Sequence, residues 1–345
     1  CSIISVVTGT SYGTAGTVGV AFIGIAQGLG IPLSHAAGAI VAGSYFGDKL
    51  SPFSDTTNLA PIAAGSNLFD HIKHTLWTTT PAWLAGLVLY WFLGRGVEGS
   101  MESEQMATIM ATIPETFRFS VALLIPPAIT LYAALTKKPT IPGMLVSSLA
   151  ALVLAVVYQG VGWVEAVDAM VHGHGSVTGI PVVDTLLTKG GMLEMMDVTL
   201  IALCAFAFAG ITQRAGMLDV LLDHMMLFAN TTGRLIAATA ASSVAVAVMT
   251  GSSFLTLLIP GELFAPAYKK MGLAAKNLSR TVEDSGTVIV PIVPWSIAGV
   301  YMAGTLQVPT VEYAPFAFMC YLGVVVALIY GFTGFAIAPK VNEDE

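Results

Sequence analysis

The sequence predicts an all-α polytopic membrane protein made of inverted repeats, with re-entrant hairpins and broken helices. Three observations predict it. The 345 residues are 55% hydrophobic and only 10% charged, whereas a soluble domain carries about 25% charged residues. Charges and hydroxyls gather at a few places inside otherwise apolar runs, where ionisable groups are costly and mark a pathway or a binding site. These interrupted runs occur at corresponding places in two halves of the chain, which points to a transporter site at a repeat interface. A mean hydropathy of +0.79 agrees, and 35 glycines fit helices packed through small side chains.

Residues 1–26 are apolar but interrupted at 8–14 by Thr8, Thr10, Ser11, Tyr12, Thr14 and two glycines. The chain opens without Met, in mid-run and without a leader pattern, and reads as an internal start preceded by further spans. GLGIPL is a turn. The run 34–46 then meets GDKLSPFSDTTNLAP at 47–61. Freed backbone at membrane depth must be buried in protein or line a wet cavity. This stretch is therefore read as the unwound middle of a discontinuous helix; the competing reading is an extramembrane loop.

Residues 71–94 form a full span with Trp and Tyr near its ends. A polar, acidic loop follows at 95–116. Residues 117–135 form a span kinked by Pro126 and Pro127, KKPT makes a turn, and 141–160 span again. Residues 161–193 read as a longer loop with Glu165, Asp168 and Asp184, and 195–216 as a span. The amphipathic stretch 217–230, with Asp219, Asp223 and His224 near one face, is placed at the interface.

The opening pattern then returns. TGSSF at 250–254, inside the run 234–270, answers TGTSY at 8–12 with an offset of 242. The run 276–306 is broken at Asp284-Ser285-Gly286-Thr287, set opposite Asp55-Thr56-Thr57-Asn58, and Pro291 echoes Pro61. The last span is 314–338, followed by an acidic tail. The chain divides into 1–70, the first-repeat hairpin arm and broken helix; 71–233, connecting helices and loops; 234–310, the second-repeat hairpin and broken helix; and 311–345, the final helix and tail.

With the two Thr-Gly stretches as hairpin tips, one side of the membrane receives Lys73, Lys137, Lys138, Arg214, Arg234, Lys269, Lys270, Lys276, Arg280 and Lys340. The other receives Arg95, Arg118 and Lys189, with Lys49 inside. Cationic residues mark the cytoplasmic side, so the first side is cytoplasmic and the protein a multi-pass protein of the cell membrane.

The expected ion- and proton-binding set is Asp48, Asp55, Thr56, Thr57, Asn58, Asp284, Ser285 and Thr287, with Thr10, Ser11, Ser252 and Ser253 at the hairpin tips. A hard alkali cation needs such oxygen ligands, and Na⁺ is expected at Asp55 and Asp284. A carboxylate out of water favours its neutral form, so one group can hold a proton or a cation in turn. Each feature has a structural alternative. Lys49 pairs with Asp48, Glu283 with Arg280 three residues away, and the tip hydroxyls cap broken helices. His71, His74, His172 and His174 lack the Cys or acidic company of a metal site. Cys204 and Cys320 read as small core residues. No cofactor is expected. The partners are Na⁺ and H⁺, small carboxylates in the alternative reading, membrane lipid, and a second copy of the chain; nucleic acid is not among them. An enzyme would need a nucleophile–base or metal constellation, and a channel a continuous polar stripe.

GTSYGTAGTVGVAF, GSYFGDKLSPFSDTTNLAP and LAAKNLSRTVEDSGTVIVPIVPW closely resemble the NhaC family of Na⁺/H⁺ antiporters, which includes Na⁺-lactate/H⁺-malate antiporters. The resemblance runs over essentially the whole chain. It implies a secondary active transporter of the cytoplasmic membrane, of the ion-transporter superfamily type, that exports Na⁺ in exchange for H⁺, with Na⁺- and H⁺-coupled carboxylate antiport as the alternative. It implies no ligand list, so the roles above rest on the residues' own chemistry.

Overall fold

The structure is a computed structural model that describes residues 1–95, 111–136, 140–180, 183, 184, 187–193, 196–217, 220, 224, 225 and 229–339. The first half is a series of helices separated by glycine and proline breaks. Helix α1 (Ser2–Thr8) ends at Gly9, whose φ of 68° is the left-handed conformation glycine adopts without strain. Thr10 is extended, and its hydroxyl accepts the Gly13 N–H at 3.1 Å to cap α2 (Ser11–Thr14). A π-helical turn (Ala15–Gly19) leads into α3 (Val20–Gly28). Helix α4 (Leu33–Leu50) unwinds over residues 51–54, and Ser54 caps α5 (Asp55–Ala64) by accepting the Thr57 N–H. Ser51 and Ser54 are fully buried in protein, as freed backbone at membrane depth would have to be. Helix α6 (Leu68–Gly94) has 27 residues, about 40 Å at 1.5 Å per residue, enough to cross a bilayer core of about 30 Å.

In the middle of the chain, α7 (Ile125–Leu135) follows a 3-10 turn (Val121–Leu124). Pro126 and Pro127 stand in its first turn, where no N–H is needed, so they start the helix instead of kinking a span. Helix α8 (Thr140–Val157) lies against α7. The expected loop 161–193 contains α9 (Trp163–His172) and a two-residue antiparallel pairing of Gly173–His174 with Lys189–Gly190. The Asp184 carboxylate organises this loop by accepting the N–H and hydroxyl of Thr178 at 2.5 and 2.7 Å. Those bonds hold its pKa below the ordinary carboxylate value. Helix α10 (Met196–Arg214) carries Cys204 on an exposed face, not in a core as expected. Residues 96–110, 137–139 and 340–345, and most of the amphipathic stretch 217–230, lie outside the described residues.

The second half repeats the devices of the first. Helix α11 (Thr232–Thr250) ends at Gly251, φ 63°, and turns into α12 (Ser253–Lys270), which packs back against it. Helix α13 (Ala275–Val282) runs through a π-helical turn (Glu283–Thr287) and a 3-10 turn (Val290–Ile292). It then breaks over 293–296, with a 47° bend into α14 (Ile297–Leu306). Ser296 caps α14 through the Gly299 N–H at 2.8 Å. Gly251 minus Gly9 gives 242, and so does Ser296 minus Ser54. The break of the run 276–306 therefore lies at VPWS and not at Asp284–Thr287, where it was expected. In the second half the acidic stretch precedes the break, because the π-helical turn absorbs it with its backbone still bonded and unwinding waits for Pro294. The last span is bent as well: α15 (Thr310–Tyr313) and a 3-10 turn (Ala314–Phe316) meet α16 (Phe318–Thr333) at 51°. After α16 the chain doubles back, and Ala338 pairs with Ala274 and Asn277.

The halves interlock. Ile23, Ile40, Val41 and Tyr45 pack with Val290, Met302 and Tyr313, and Ala60 and Ala64 with Leu257, Phe264 and Leu278. Backbones approach closely where small residues allow it: a Cβ on Gly47 would fall 2.4 Å from the Ser2 carbonyl, and one on Gly286 2.8 Å from Thr256 Oγ1. Large apolar side chains of α6, among them Leu84, Val88, Trp91 and Phe92, are exposed, as lipid-facing residues would be. Among the described residues, α11 alone is long and apolar enough to cross a membrane, and the two bent pairs pass that test when each is taken as one span.

Candidate functional site

Each glycine turn is seated on the helix break of its own half. A Cβ on Gly9 would lie 2.7 Å from Phe53 Cβ, and one on Gly251 3.0 Å from Ser296 Cα. The Ile297 N–H donates to the Gly251 carbonyl at 3.3 Å, and the Trp295 indole to the Val248 carbonyl at 2.7 Å. Between the two turn-and-break units lies a cavity of about 250 Å³, room for roughly eight waters at about 30 Å³ each. Thr10 and Ser11 line it from one turn, Ser252 and Ser253 from the other. Asp48, Asp55 and Thr56 reach it from the two sides of the first break and Thr287 from the π-helical turn ahead of the second, with Tyr12, Tyr45, Phe254 and Ile297 also in the wall.

The lining is acidic and carries no Lys, Arg or His. Asp48 is 4% exposed, and its Oδ1 has no hydrogen-bond partner. Thr287 Oγ1, also buried, is equally unpartnered. A buried polar atom left unsatisfied costs about 1–3 kcal/mol, and both residues line the same cavity. Asp55 sits at the exposed mouth as the first residue of α5, where its Oδ1 accepts the Thr56 N–H at 2.8 Å. A helix N-terminus favours a negative side chain at that position.

The remaining candidates lie beside the cavity. Asp284 is fully buried, and its Oδ1 receives the Lys49 ammonium and the Thr78 hydroxyl. The alternative in which Lys49 pairs with Asp48 is not found; successive residues on a helix point about 100° apart, and Lys49 is turned toward Asp284. Glu283 does not pair with Arg280. Its Oε1 accepts from Thr57 at 3.2 Å and its Oε2 meets His71 Nε2 at 2.5 Å. Arg280 donates to the Ala336 carbonyl at 2.7 Å and is wholly buried, not at the aqueous face where the charge count put it. The Thr57 hydroxyl also reaches the Asp48 carbonyl at 3.0 Å. Asn58 donates its side-chain amide to the Pro52 carbonyl within the break at 2.9 Å and to the Ser54 carbonyl, which also accepts the Asn58 backbone N–H, at 2.6 Å. Ser285 bonds back to the Thr281 carbonyl of its own helix.

His71 and His74, expected at the membrane interface, are buried against α13. His71 Nδ1 meets Ser279 at 2.9 Å, and His74 Nε2 meets Asn277 at 3.0 Å. Sequence reasoning left His71, Thr78 and Glu283 out of the site. The signal was there, because 71, 74, 75 and 78 carry His, His, Thr and Thr at helical spacing, a polar stripe on one face of an apolar span. Among the described residues no group of three or more His, Cys, Asp or Glu is placed to hold a metal ion.

Broken helices and glycine turns around one acidic cavity define a helical membrane protein of the transporter class. The sequence profile of the Na⁺/H⁺ antiporter family matches residues 1–57 and 43–335, and the chain belongs to that family. It is 44% identical to an uncharacterized Na⁺/H⁺ antiporter of Haemophilus influenzae, over 98% of this chain and 74% of the relative. Identity to the Na⁺/H⁺ antiporter NhaC of Alkalihalophilus pseudofirmus is 39%, over 99% and 74%. Identity to a malate-2H⁺/Na⁺-lactate antiporter of Bacillus subtilis is 32%, over 97% and 72%.

Proposed function

We propose that this protein is a secondary active transporter of the cell membrane that exports Na⁺ in exchange for H⁺. The observation that carries this reading is the shared cavity, lined by Asp48, Asp55 and Thr287 together with the hydroxyls of both turns and by no cationic side chain. Na⁺ takes oxygen ligands, and a carboxylate that binds either Na⁺ or H⁺, but not both, makes their movements an exchange. Asp48 and Asp55 carry the ions, while Asp284 holds Lys49 away from the cavity. The two turn-and-break units are inverted repeats related across the membrane midplane, and alternating access moves one against the other. Support for the repeat comes from the shared offset of turns and breaks, and for inversion from the distribution of Lys and Arg.

Carboxylate antiport is supported by the Bacillus subtilis relative. It is disfavoured by a lining without a cationic side chain and by the engagement of Lys49 with Asp284. The test uses sealed proteoliposomes loaded with a pH-sensitive dye and given a proton gradient. Collapse of the gradient on adding NaCl, but not KCl, is the expected result. Collapse only with lactate and malate on opposite faces would move the function to organic-anion exchange.

A further inference from the structure

We propose that Thr57, Glu283 and His71 form a hydrogen-bonded relay that sets the cation affinity of Asp48 from outside the cavity. The inference rests on the proposed Na⁺/H⁺ exchange, and it reassigns Thr57 from ligand to positioning residue. Thr57 is fully buried and is not part of the cavity lining, unlike its neighbours Asp55 and Thr56. Its hydroxyl has one hydrogen and lies within reach of two acceptors, the Asp48 carbonyl at 3.0 Å and Glu283 Oε1 at 3.2 Å.

The choice of acceptor matters because of where each sits. Asp48 belongs to the last turn of α4, and its carbonyl also accepts the Ser51 N–H that starts the break. When Thr57 donates to that carbonyl, the end of α4 is tied to the first turn of α5, and the Asp48 carboxyl is held where the cavity has it. When Thr57 turns to Glu283, α5 is tied to the π-helical turn of the other half, and the Asp48 turn loses a restraint. One hydrogen with two acceptors is a two-state element joining both broken helices.

His71 fixes the far end from α6. His71 Nδ1 meets Ser279 Oγ at 2.9 Å, and Nε2 meets Glu283 Oε2 at 2.5 Å. The ring thereby holds the Glu283 carboxylate where its Oε1 meets Thr57. His71 and Glu283 are both wholly buried, so the pair is shielded from solvent that could replace these bonds.

The experiment measures the apparent Na⁺ KM and maximal rate of exchange in proteoliposomes. In parallel, Na⁺-dependent thermal stabilisation of the detergent-solubilised protein reads binding without transport. Thr57→Val removes the hydroxyl at constant shape and is expected to raise the Na⁺ KM about fivefold with little change in maximal rate, the effect of one lost hydrogen bond. Thr57→Ser should restore the KM to within about twofold on the same reasoning. Glu283→Gln weakens the competing acceptor and leaves Thr57 to the Asp48 carbonyl, so it should lower the KM or leave it within about twofold, and the double variant Thr57→Val/Glu283→Gln should match Thr57→Val alone, because both act through one hydroxyl. His71→Gln serves in place of Glu283→Gln if that variant does not fold. Unchanged KM in Thr57→Val, failure of Thr57→Ser to restore it, or multiplying effects in the double variant would overturn the relay while leaving the exchange function standing. An unsubstituted protein that neither binds nor exchanges Na⁺ would overturn both.

Discussion

At the residue scale the protein separates two kinds of buried charge. Asp48 lines a cavity that holds no cationic side chain, whereas Asp284, which like Asp48 has one unpartnered oxygen, is neutralised by Lys49 and bonded by Thr78 at its Oδ1. The consequences of substitution should differ accordingly. Asp48→Asn and Asp55→Asn keep shape and remove charge, so each is expected to abolish Na⁺-driven collapse of a proton gradient while the protein still elutes as a folded species. Normal exchange in both would remove the cavity from the mechanism. Lys49→Met instead strands Asp284 as an unpaired buried carboxylate, at a cost of about 3–5 kcal/mol. It should lower the thermal unfolding midpoint sharply, and adding Asp284→Leu should recover most of the loss. Equal stability of Lys49→Met and the unsubstituted protein would mean that the pair is not closed in the membrane. The acidic residues of the cavity were legible because charges inside apolar runs stand out. The partner of Lys49 was not, since spacing alone does not tell which neighbouring helix a side chain meets.

At the scale of elements, the turn and the break form one unit. Gly9 and Gly251 each hold a left-handed conformation, at φ 68° and 63°, and each lies directly on a break. Alanine at either position pays about 1 kcal/mol in backbone strain. At Gly9 its Cβ would also stand 2.7 Å from Phe53 Cβ, against 3.0 Å from Ser296 Cα at Gly251. Gly9→Ala should therefore lower the unfolding midpoint more than Gly251→Ala, and it should also slow exchange by shifting Thr10 and Ser11 in the cavity wall. A reversed order of stability would show that the first turn is not packed on its break. The Thr-Gly repeat announced both turns from sequence, and GDKLSPFSDTTNLAP announced the first break, but the second break at 293–296 was expected further upstream. The position of the second acidic stretch was misjudged because a π-helical turn leaves no mark in hydrophobic pattern: Glu283–Thr287 look like a break and are a continuous, bonded helix. The prolines at 126 and 127 misled in the opposite sense, opening a helix where a kink was expected.

At the scale of the molecule, the two units contribute unequally to a common site. The first supplies Asp48 and Asp55 to the cavity, while the second supplies hydroxyls and keeps its carboxylates in pairs behind the wall. A rocking motion between the units would therefore move the charged wall past the hydroxyl wall, which changes the access of the same cavity without changing its carboxylates. This can be read with single cysteines. Cys204 is exposed, so the measurement begins from a protein whose Cys1, Cys204 and Cys320 are replaced by serine. Thr10→Cys and Ser252→Cys each place a thiol in the cavity wall, one in each unit. With alternating access, a membrane-impermeant maleimide should label each thiol from either side of a sealed vesicle, because the cavity opens to one side at a time. Replacing K⁺ by Na⁺ should then speed labelling from one side and slow it from the other, in the same sense for both positions, since they share one cavity. Labelling from a single side under all conditions would argue for a fixed vestibule and against exchange by alternating access. Opposite responses at the two positions would mean that the turns face separate spaces, and the two units would then not share the site on which the mechanism depends.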